Sequence, residues 1–500
     1  MSSPKTALRA LCTTAALLQL ISCASSTATP APTPQAQKAP AAPQPDPRYL
    51  ALPTPTKAQP WQAPPVTQFT LKNGLTVWRM TQGNTPLVSI HLMLPRGAAA
   101  DPKGKAGLTL MTADLLDEGA GKLSALELSD KLGELATDYS SNTGVDYTLL
   151  SMDALSENLS PSLELLGDIV LRPALKKSEF DRRKKHHLAT ALAAHDDPGT
   201  SRRRALARVL FGDGYGGLPV SGTLTSLQDI TWHDVKRHAK KLTSPHGAHL
   251  VIAGRANEEE LRALLNQVFG KWRGRAQKIE NDVRKAPTGG RAYLIDYPKA
   301  AQSSLAIATR AGSDDDANFF AEKVMNQKIG GSFTGRINMN LREDKGYTYG
   351  ARGDFRRYQH AGYYSISTNV KSETTGASIK EIFKELSDVC TERPLTQKEV
   401  NESVEGLLLG YPMRFDQISS MGIRLVQLPV HNRPLDFWST WPSKINAITK
   451  DRANAAAQPY CDKARYNIVI AGDKESVVPQ LKKLNIEVVF LDKDGEVIPQ

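Results

Sequence analysis

The sequence predicts an α+β fold built from two homologous halves, each an antiparallel sheet covered by helices. Three observations carry this. The tetrapeptide Val-Ile-Ala-Gly occurs at Val251–Gly254 and again at Val469–Gly472. A strand ending on an arginine, followed by a loop and a helix, also occurs twice, with Arg96 and Arg310 as matching points. The two offsets, 469 − 251 = 218 and 310 − 96 = 214, nearly agree, as duplicated units require. Between these anchors, short apolar runs of strand length are interleaved with longer segments of helical length.

The elements follow in order. Phe69 to Trp78 reads as a hairpin turning at Asn73-Gly74. Leu87 to Leu94 is an apolar strand. After Arg96-Gly97 and a loop to Gly107, helices are predicted over Leu108–Leu116 and Ser124–Leu135, then a strand over Thr148–Met152. Leu159–Leu171, Lys177–Ala194 and Ser201–Leu210 read as helices, and another opens after Thr231. A strand at Leu250–Gly254 and a helix over Glu258–Phe269 close a half spanning 65–273. Residues 274–290, polar with Pro287, Gly289 and Gly290, read as a linker. The second half, 291–492, begins with a strand over Ser304–Arg310, a loop Gly312–Asp316 and a helix Asn318–Ile329.

The chain of 500 residues is 40% hydrophobic, enough for a sizeable core. Its net charge is +11 with a pI near 9.3. The basic residues are scattered apart from Arg182–Lys185 and Arg202–Arg204, with no zinc-finger spacing and no aromatic-basic interleaving. The charge therefore reads as solvated surface, and nucleic acid is not the expected partner.

The N-terminus reads as a processing segment. Lys5 and Arg9 precede a short apolar run, Leu11–Ile21, too brief for a bilayer span. It ends Leu20-Ile21-Ser22-Cys23, which resembles a bacterial lipobox with Cys23 as the lipidated first residue of the mature chain. An ordinary secretory signal with an incidental cysteine is the alternative. Ala24, not Asp, stands after Cys23, which for such lipoproteins implies the outer membrane. A lipid there anchors without a spanning helix. Residues 1–22 would be the signal, and 23–64, rich in Pro and Ala, an extended stalk. Of the four cysteines, Cys12 leaves with the signal and Cys23 takes lipid. Cys390 and Cys461 are left as a possible pair in an oxidising periplasm.

The stretch from Gly330 to Gly350 is the candidate functional segment. Gly330, Gly331 and Gly335 precede an amphipathic run, Ile337–Leu341, and then Arg342 and Tyr349, seven positions apart. Glycine lets a foreign backbone approach closely. Arg342 offers a planar fork of donors for a carbonyl or carboxylate, and Tyr349 a rigid ring with a polar tip. Spacing alone favours a plainer reading, a helix ending on its Gly cap and a strand beginning at Tyr347.

Leu-Arg-Glu-x-x-Gly-x-x-Tyr at Leu341–Tyr349 resembles the Arg/Tyr signature of the insulinase/pitrilysin metallopeptidase family, which includes the mitochondrial processing peptidases. The resemblance covers nearly all of Val66 to Asp492. It implies two α+β halves forming a clam-like shape around a cavity. It also implies a substrate-binding role for Arg342 and Tyr349, with Gly330, Gly331 and Gly335 as the preceding glycine loop.

Active members of that family carry His-x-x-Glu-His on the first helix, two His one turn apart for zinc and a Glu that activates water. Here the corresponding positions read Leu110, Ala113 and Asp114. A further Glu is expected from a later helix, but no carboxylate lies between Asp181 and Asp196. His186, His187 and His195 share that stretch and read as exposed helix histidines. His233 and His238, five apart, miss the one-turn spacing. Glu118, beside Gly119, reads as the end of the first helix. No catalytic residue and no metal ligand are therefore assigned to this chain.

The resemblance then implies a non-catalytic, substrate-binding subunit of a two-chain peptidase of the bacterial envelope. Its partner would be a chain with His-x-x-Glu-His and the zinc, and its substrate an unfolded peptide added as a strand to a sheet edge. Two alternatives stand: a stand-alone peptide-binding envelope lipoprotein, and an active metallopeptidase with unrecognised ligands.

Overall fold

In the computed structural model the described residues are 61–499, apart from 82, 84, 275–278, 280–281, 286 and 314–316. Cys23, the segments 1–22 and 23–60, and part of the expected linker 274–290 lie outside them. No described helix is long and apolar enough to cross a membrane.

Two six-stranded sheets organise the chain. The first holds β1 (Val66–Thr70), β2 (Thr76–Met80), β3 (Leu87–Leu94), β4 (Asp138–Thr143), β5 (Thr148–Leu155) and β6 (His249–Gly254), in the order β1-β2-β6-β3-β5-β4. The second holds β7 (Arg291–Asp296), β8 (Gln302–Ala311), β9 (Thr348–Arg357), β10 (Gly362–Lys371), β11 (Asn467–Gly472) and β12 (Glu487–Leu491), in the order β12-β7-β11-β8-β10-β9. Five strands correspond one to one. The tetrapeptide strands β6 and β11 occupy the same place, each between a parallel neighbour (β2, β7) and an antiparallel one (β3, β8). The sixth position is filled differently. β1 is the antiparallel hairpin partner of β2, whereas β12 joins β7 in parallel from the far end of the chain. The sheets are therefore mixed rather than wholly antiparallel.

The helices are α1 (Leu108–Ala113), α2 (Ala125–Glu134), α3 (Leu159–Leu171), α4 (Lys177–Ala193), α5 (Pro198–Phe211), α6 (Leu224–Asp229), α7 (Trp232–Leu242) and α8 (Glu258–Phe269) in the first half. In the second they are α9 (Phe319–Asn326), α10 (Arg336–Asn338), α11 (Thr375–Asp388), α12 (Gln397–Leu409), α13 (Ile418–Val430), α14 (Phe437–Asn446), α15 (Lys450–Ala457) and α16 (Lys474–Lys483). Local chemistry explains the boundaries. Asn73-Gly74 turns the first hairpin with Gly74 at φ +89°. Ser124 accepts from the Glu127 backbone while Glu127 reaches back, a capping box that starts α2. α1 stops at Ala113, three residues short of its predicted end, and the chain continues in tight turns.

The halves are locked by exchanged helices. α13, from the second half, packs on β3 and β6, where Met421, Leu425 and Val426 share a core with Met93, Val251 and Ala253. α5, from the first half, packs on β8 and β11, where Leu206, Leu210 and Phe211 meet Ala306, Ala308, Val469 and Ala471. This is why β3 is buried nearly throughout: Ser89, His91 and Met93 lie on the face toward α13, and the opposite face is covered by its own half, through Val88, Ile90, Leu92 and Leu94. Close approach needs small groups. A Cβ on Gly422 of α13 would lie 2.2 Å from His91 Nε2 on β3. On α5, the buried Arg202 reaches Ser304 Oγ at 3.0 Å and Ser367 Oγ at 3.3 Å. Burial pushes its guanidinium down to about 10. The Arg202–Arg204 run is thus not a solvated surface; Arg202 and Arg204 are both buried. Cys390 and Cys461 form a disulfide with Cα atoms 6.3 Å apart.

Candidate functional site

The helix α1 and its continuation carry the degenerate motif. Leu110 is half-buried and Ala113 fully buried. Asp114 follows as the helix cap, still with helical dihedrals, φ −67° and ψ −10°. Its carboxylate accepts from Ser141 Oγ on the edge strand β4 at 3.1 Å, and His187 Nε2 stands 3.1 Å from its other oxygen. Here the expectation of exposed histidines fails. His186 is exposed, but His187 is buried on α4 against Asp114, and His195 is half-buried against Asp494 at 2.9 Å. His187 follows the buried Phe180 by seven residues, two helical turns, so it shares the inward face of α4.

The basic run on α4 also works inward. Arg182 and Arg183 both pair with the buried Glu118, Arg183 at 2.9 Å, and Arg183 donates to the Asp114 carbonyl at 3.2 Å. Glu118 therefore does more than end a helix: it ties the turn after α1 to α4. Burial pushes the neighbouring Asp117 carboxyl up to about 6.

The start of α1 is held by Asp101, which accepts from the Gly107 and Thr109 backbone amides at 2.8 Å each and from Thr109 Oγ1 at 2.6 Å. Burial pushes Asp101 up to about 7 against those bonds. Thr109 Oγ1 also lies 2.8 Å from Nε2 of His238, a buried histidine that desolvation pushes down to about 3. His238 is thus part of the packing under α1, while His233 is exposed.

The zinc site implied by the motif does not fit these residues. Such a site needs three protein donors and, for hydrolysis, a base beside them. Here two motif positions are alkyl, and the two polar groups that remain, Asp114 and His187, face each other. Among the described residues no three His, Cys, Asp or Glu side chains gather as a metal-binding group.

The segment from Gly330 to Gly350 leaves regular helix twice. Gln327–Gly331 and Met339–Asp344 are π-helical turns, a feature that recurs at functional sites. Arg342 lies on the second of these turns. Its guanidinium stacks 4.6 Å over Phe333 and pairs with Glu343 at 3.1 Å, both contacts being at the surface. Tyr349, on β9, is 89% exposed and so presents its whole ring. The glycines have partners of their own. A Cβ on Gly330 would lie 2.9 Å from the Gly353 backbone, on Gly331 2.8 Å from Asn326, and on Gly335 3.0 Å from the Ser332 carbonyl. Close packing of the chain on itself thus suffices to require glycine at Gly330 and Gly331.

β9 is the edge strand of its sheet, but this edge is partly capped. Asn338 accepts from the Ala351 amide at 2.9 Å, and Asn326 donates to the Gly353 carbonyl at 2.9 Å. Both asparagines escaped the sequence reading, since nothing local marks a helix side chain that will cap a strand.

Comparison with known proteins agrees with this geometry. Residues 78–223 match the model for insulinase (peptidase family M16), and residues 229–407 match that for the peptidase M16 inactive domain. An uncharacterized zinc protease of Streptomyces coelicolor is 23% identical over 402 residues, 77% of this chain and 87% of the relative. The non-peptidase homolog YmxG of Helicobacter pylori is 23% identical over 377 residues, 74% of this chain and 85% of the relative. Among solved structures, a peptidase M16 inactive domain from Pseudomonas fluorescens superposes with a TM-score of 0.75 at 21% identity, covering 82% of this chain and 98% of the other. A protease from Helicobacter pylori gives 0.75 at 17% identity, covering 82% and 99%.

Proposed function

This chain belongs to the insulinase family of peptidases as an inactive member, and from that premise we propose that it is the substrate-binding subunit of a two-chain peptidase. The carrying observation is an asymmetry between its halves. The first half has alkyl groups at two of the three motif positions, while the second keeps Arg342 and Tyr349 at the surface. The relatives above include both a chain named a zinc protease and one named a non-peptidase homolog, which supports a division of labour between family members.

In this reading the partner carries His-x-x-Glu-His, with its zinc, and cleaves an unfolded peptide. Tyr349 Oη donates to the reacting carbonyl oxygen, and the Arg342 fork holds the charge that develops there. The Arg342–Glu343 pair is exposed and worth little, so Arg342 is easily recruited to substrate. The Leu20–Cys23 segment and the residues up to 64 would tether the subunit to the outer membrane, facing the periplasm.

The test is reconstitution with a neighbouring His-x-x-Glu-His chain. Arg342→Ala or Tyr349→Phe is expected to lower kcat on the order of a hundredfold, as removal of a charge-stabilising donor does, with assembly intact. Unchanged turnover in the assembled pair refutes the role. Peptide capture by this chain with no hydrolytic partner in the genome leaves a stand-alone binding lipoprotein instead.

A further inference from the structure

A cavity of about 500 Å³ opens in the second half between α9, β9, α13 and α14. Its size is that of sites that enclose small ligands or a few residues of a chain. Arginine dominates its lining. Arg352 and Arg356 come from β9, Arg414 from the turn Pro412–Phe415, and Arg424 from α13. The acidic side chain among the lining residues is Asp354. None of the four arginines has an ion-pair partner among the described residues, whereas Arg357, also at the cavity, is satisfied by Glu322.

Two of the four are held there at a cost. Arg424 Nε is buried with no acceptor. Burial depresses the Arg414 and Arg424 guanidinium groups, and Arg424 further depresses Arg414 by like-charge repulsion. Charge partly removed from water is ordinarily paired, so the half-buried, unpaired Arg414 and Arg424, with the exposed Arg352 and Arg356 at the same cavity, favour an anion there. The wall behind them is rigid. Tyr411 and Trp441 stack at 4.6 Å with an interplanar angle of 4°, Tyr411 Oη donates to the Trp438 carbonyl at 2.5 Å, and Trp438 Nε1 donates to the Arg424 carbonyl at 2.9 Å. Arg414 lies 5.4 Å over the Trp441 ring.

We propose that this cavity receives the carboxylate groups of an acidic, extended peptide, held by Arg352, Arg356, Arg414 and Arg424 against Trp438 and Trp441, which Tyr411 backs. Spacing favours a chain over a compact anion. Arg352 and Arg356 lie on one face of β9, about 13 Å apart at the rise of a strand, with Asp354 between them. Charges so spread match carboxylates at the first and fifth positions of an extended segment, with none at the third. Each guanidinium can hold a carboxylate through two parallel bonds. Recognition is by side chains, because Asn326 and Asn338 already cap the β9 edge at Gly353 and Ala351. The inference stands whether or not a catalytic partner exists.

The experiment is titration calorimetry on the full chain alone. The probes are a nine-residue peptide with Glu at its third and seventh positions, its Gln counterpart, each as free acid and as C-terminal amide, and inorganic phosphate. The Glu peptide is expected to bind at least tenfold more tightly than the Gln peptide, less so as salt is raised. Arg352→Gln, an exposed position with no folding burden, and Arg424→Gln are each expected to weaken it tenfold or more. If amidation removes the binding, the carboxylate recognised is the C-terminal one; if it does not, it is that of the side chains. Equal binding of Glu and Gln peptides as both acid and amide, binding of phosphate but no peptide, or unchanged affinity in both variants overturns the proposal.

Discussion

If only the donors are missing, and not the scaffold that would hold them, then putting them back should make a metal site. The triple variant Leu110→His, Ala113→Glu, Asp114→His places two imidazoles one helical turn apart, since Asp114 keeps helical dihedrals. His187 already stands within 3.1 Å of the residue-114 side chain and would be a third nitrogen donor from α4. Without metal, the variant loses the Asp114 contacts to Ser141 and His187 and also puts a glutamate at the fully buried Ala113, so it is expected to be less stable by about 4 kcal/mol or more. With zinc at a hundred times its dissociation constant, linkage returns about 2.7 kcal/mol. The assay is the urea midpoint with and without chelator, beside metal content after dialysis. The parent should show neither metal nor a chelator effect. A triple variant that retains no zinc refutes the claim that α1 and α4 still have the geometry of a metal site. A parent that retains one zinc per chain refutes the larger claim that the chain has no such site.

Three further outcomes are expected. Gly422→Ala drives a methyl group into His91, which Ser89 and Ser151 hold at 2.9 and 2.8 Å, so α13 must lift from β3. The cost is about 1–3 kcal/mol by urea unfolding, and adding His91→Ser should recover at least half of it; no recovery sinks the steric account. Burial pushes His91 down to about 4, partly opposed by Asp153. Its contribution is therefore complete above the unfolded value near 6.5 and lost as pH falls from there toward 4, about 2 kcal/mol between pH 7 and 5. The variant His91→Asn should be flatter than the parent by that amount, the opposing gain from Asp101 being common to both, and parallel pH profiles would contradict it. Arg424→Met removes a half-buried, unpaired charge whose Nε is out of reach of water and should raise stability by about 1 kcal/mol while weakening acidic-peptide binding tenfold or more; a lower urea midpoint argues against the unpaired state.

What the sequence made legible was local or repeated. The Asn73-Gly74 turn, the helix beginning at Ser124 and the paired tetrapeptides each rest on a few neighbouring residues, and all appear where they were expected. The motif positions were readable for the same reason, because one turn of helix fixes which side chains share a face. β4 was not seen: Asp-Tyr-Ser-Ser-Asn-Thr has too few apolar residues to show a period of two, being an edge strand wet on one side. Other elements were also left unread, among them β7, β10, β12 and the helices α11 to α16, and the remaining omissions are contacts between distant segments. His187 meets Asp114, Asn338 meets Ala351 across a turn of chain, and four arginines converge from a strand, a turn and a helix.

The exchanged helices show why periodicity could not supply these. An apolar face says that a helix is covered, not which sheet covers it. On α13 that choice is written in Gly422, where His91 leaves no room for a side chain, and on the opposing sheet in Ala306, Ala308 and Ala471, which leave room for α5. Because each half is completed by a helix of the other, neither is a closed unit by itself. The absence of the motif's donors from the first half is then bridged by other contacts: Glu118 with Arg182 and Arg183 ties the turn after α1 to α4, and α13 holds β3 from the far side. A chain so braced can lack those donors and keep its shape, which is the physical condition for a catalytic fold to persist as an inactive family member.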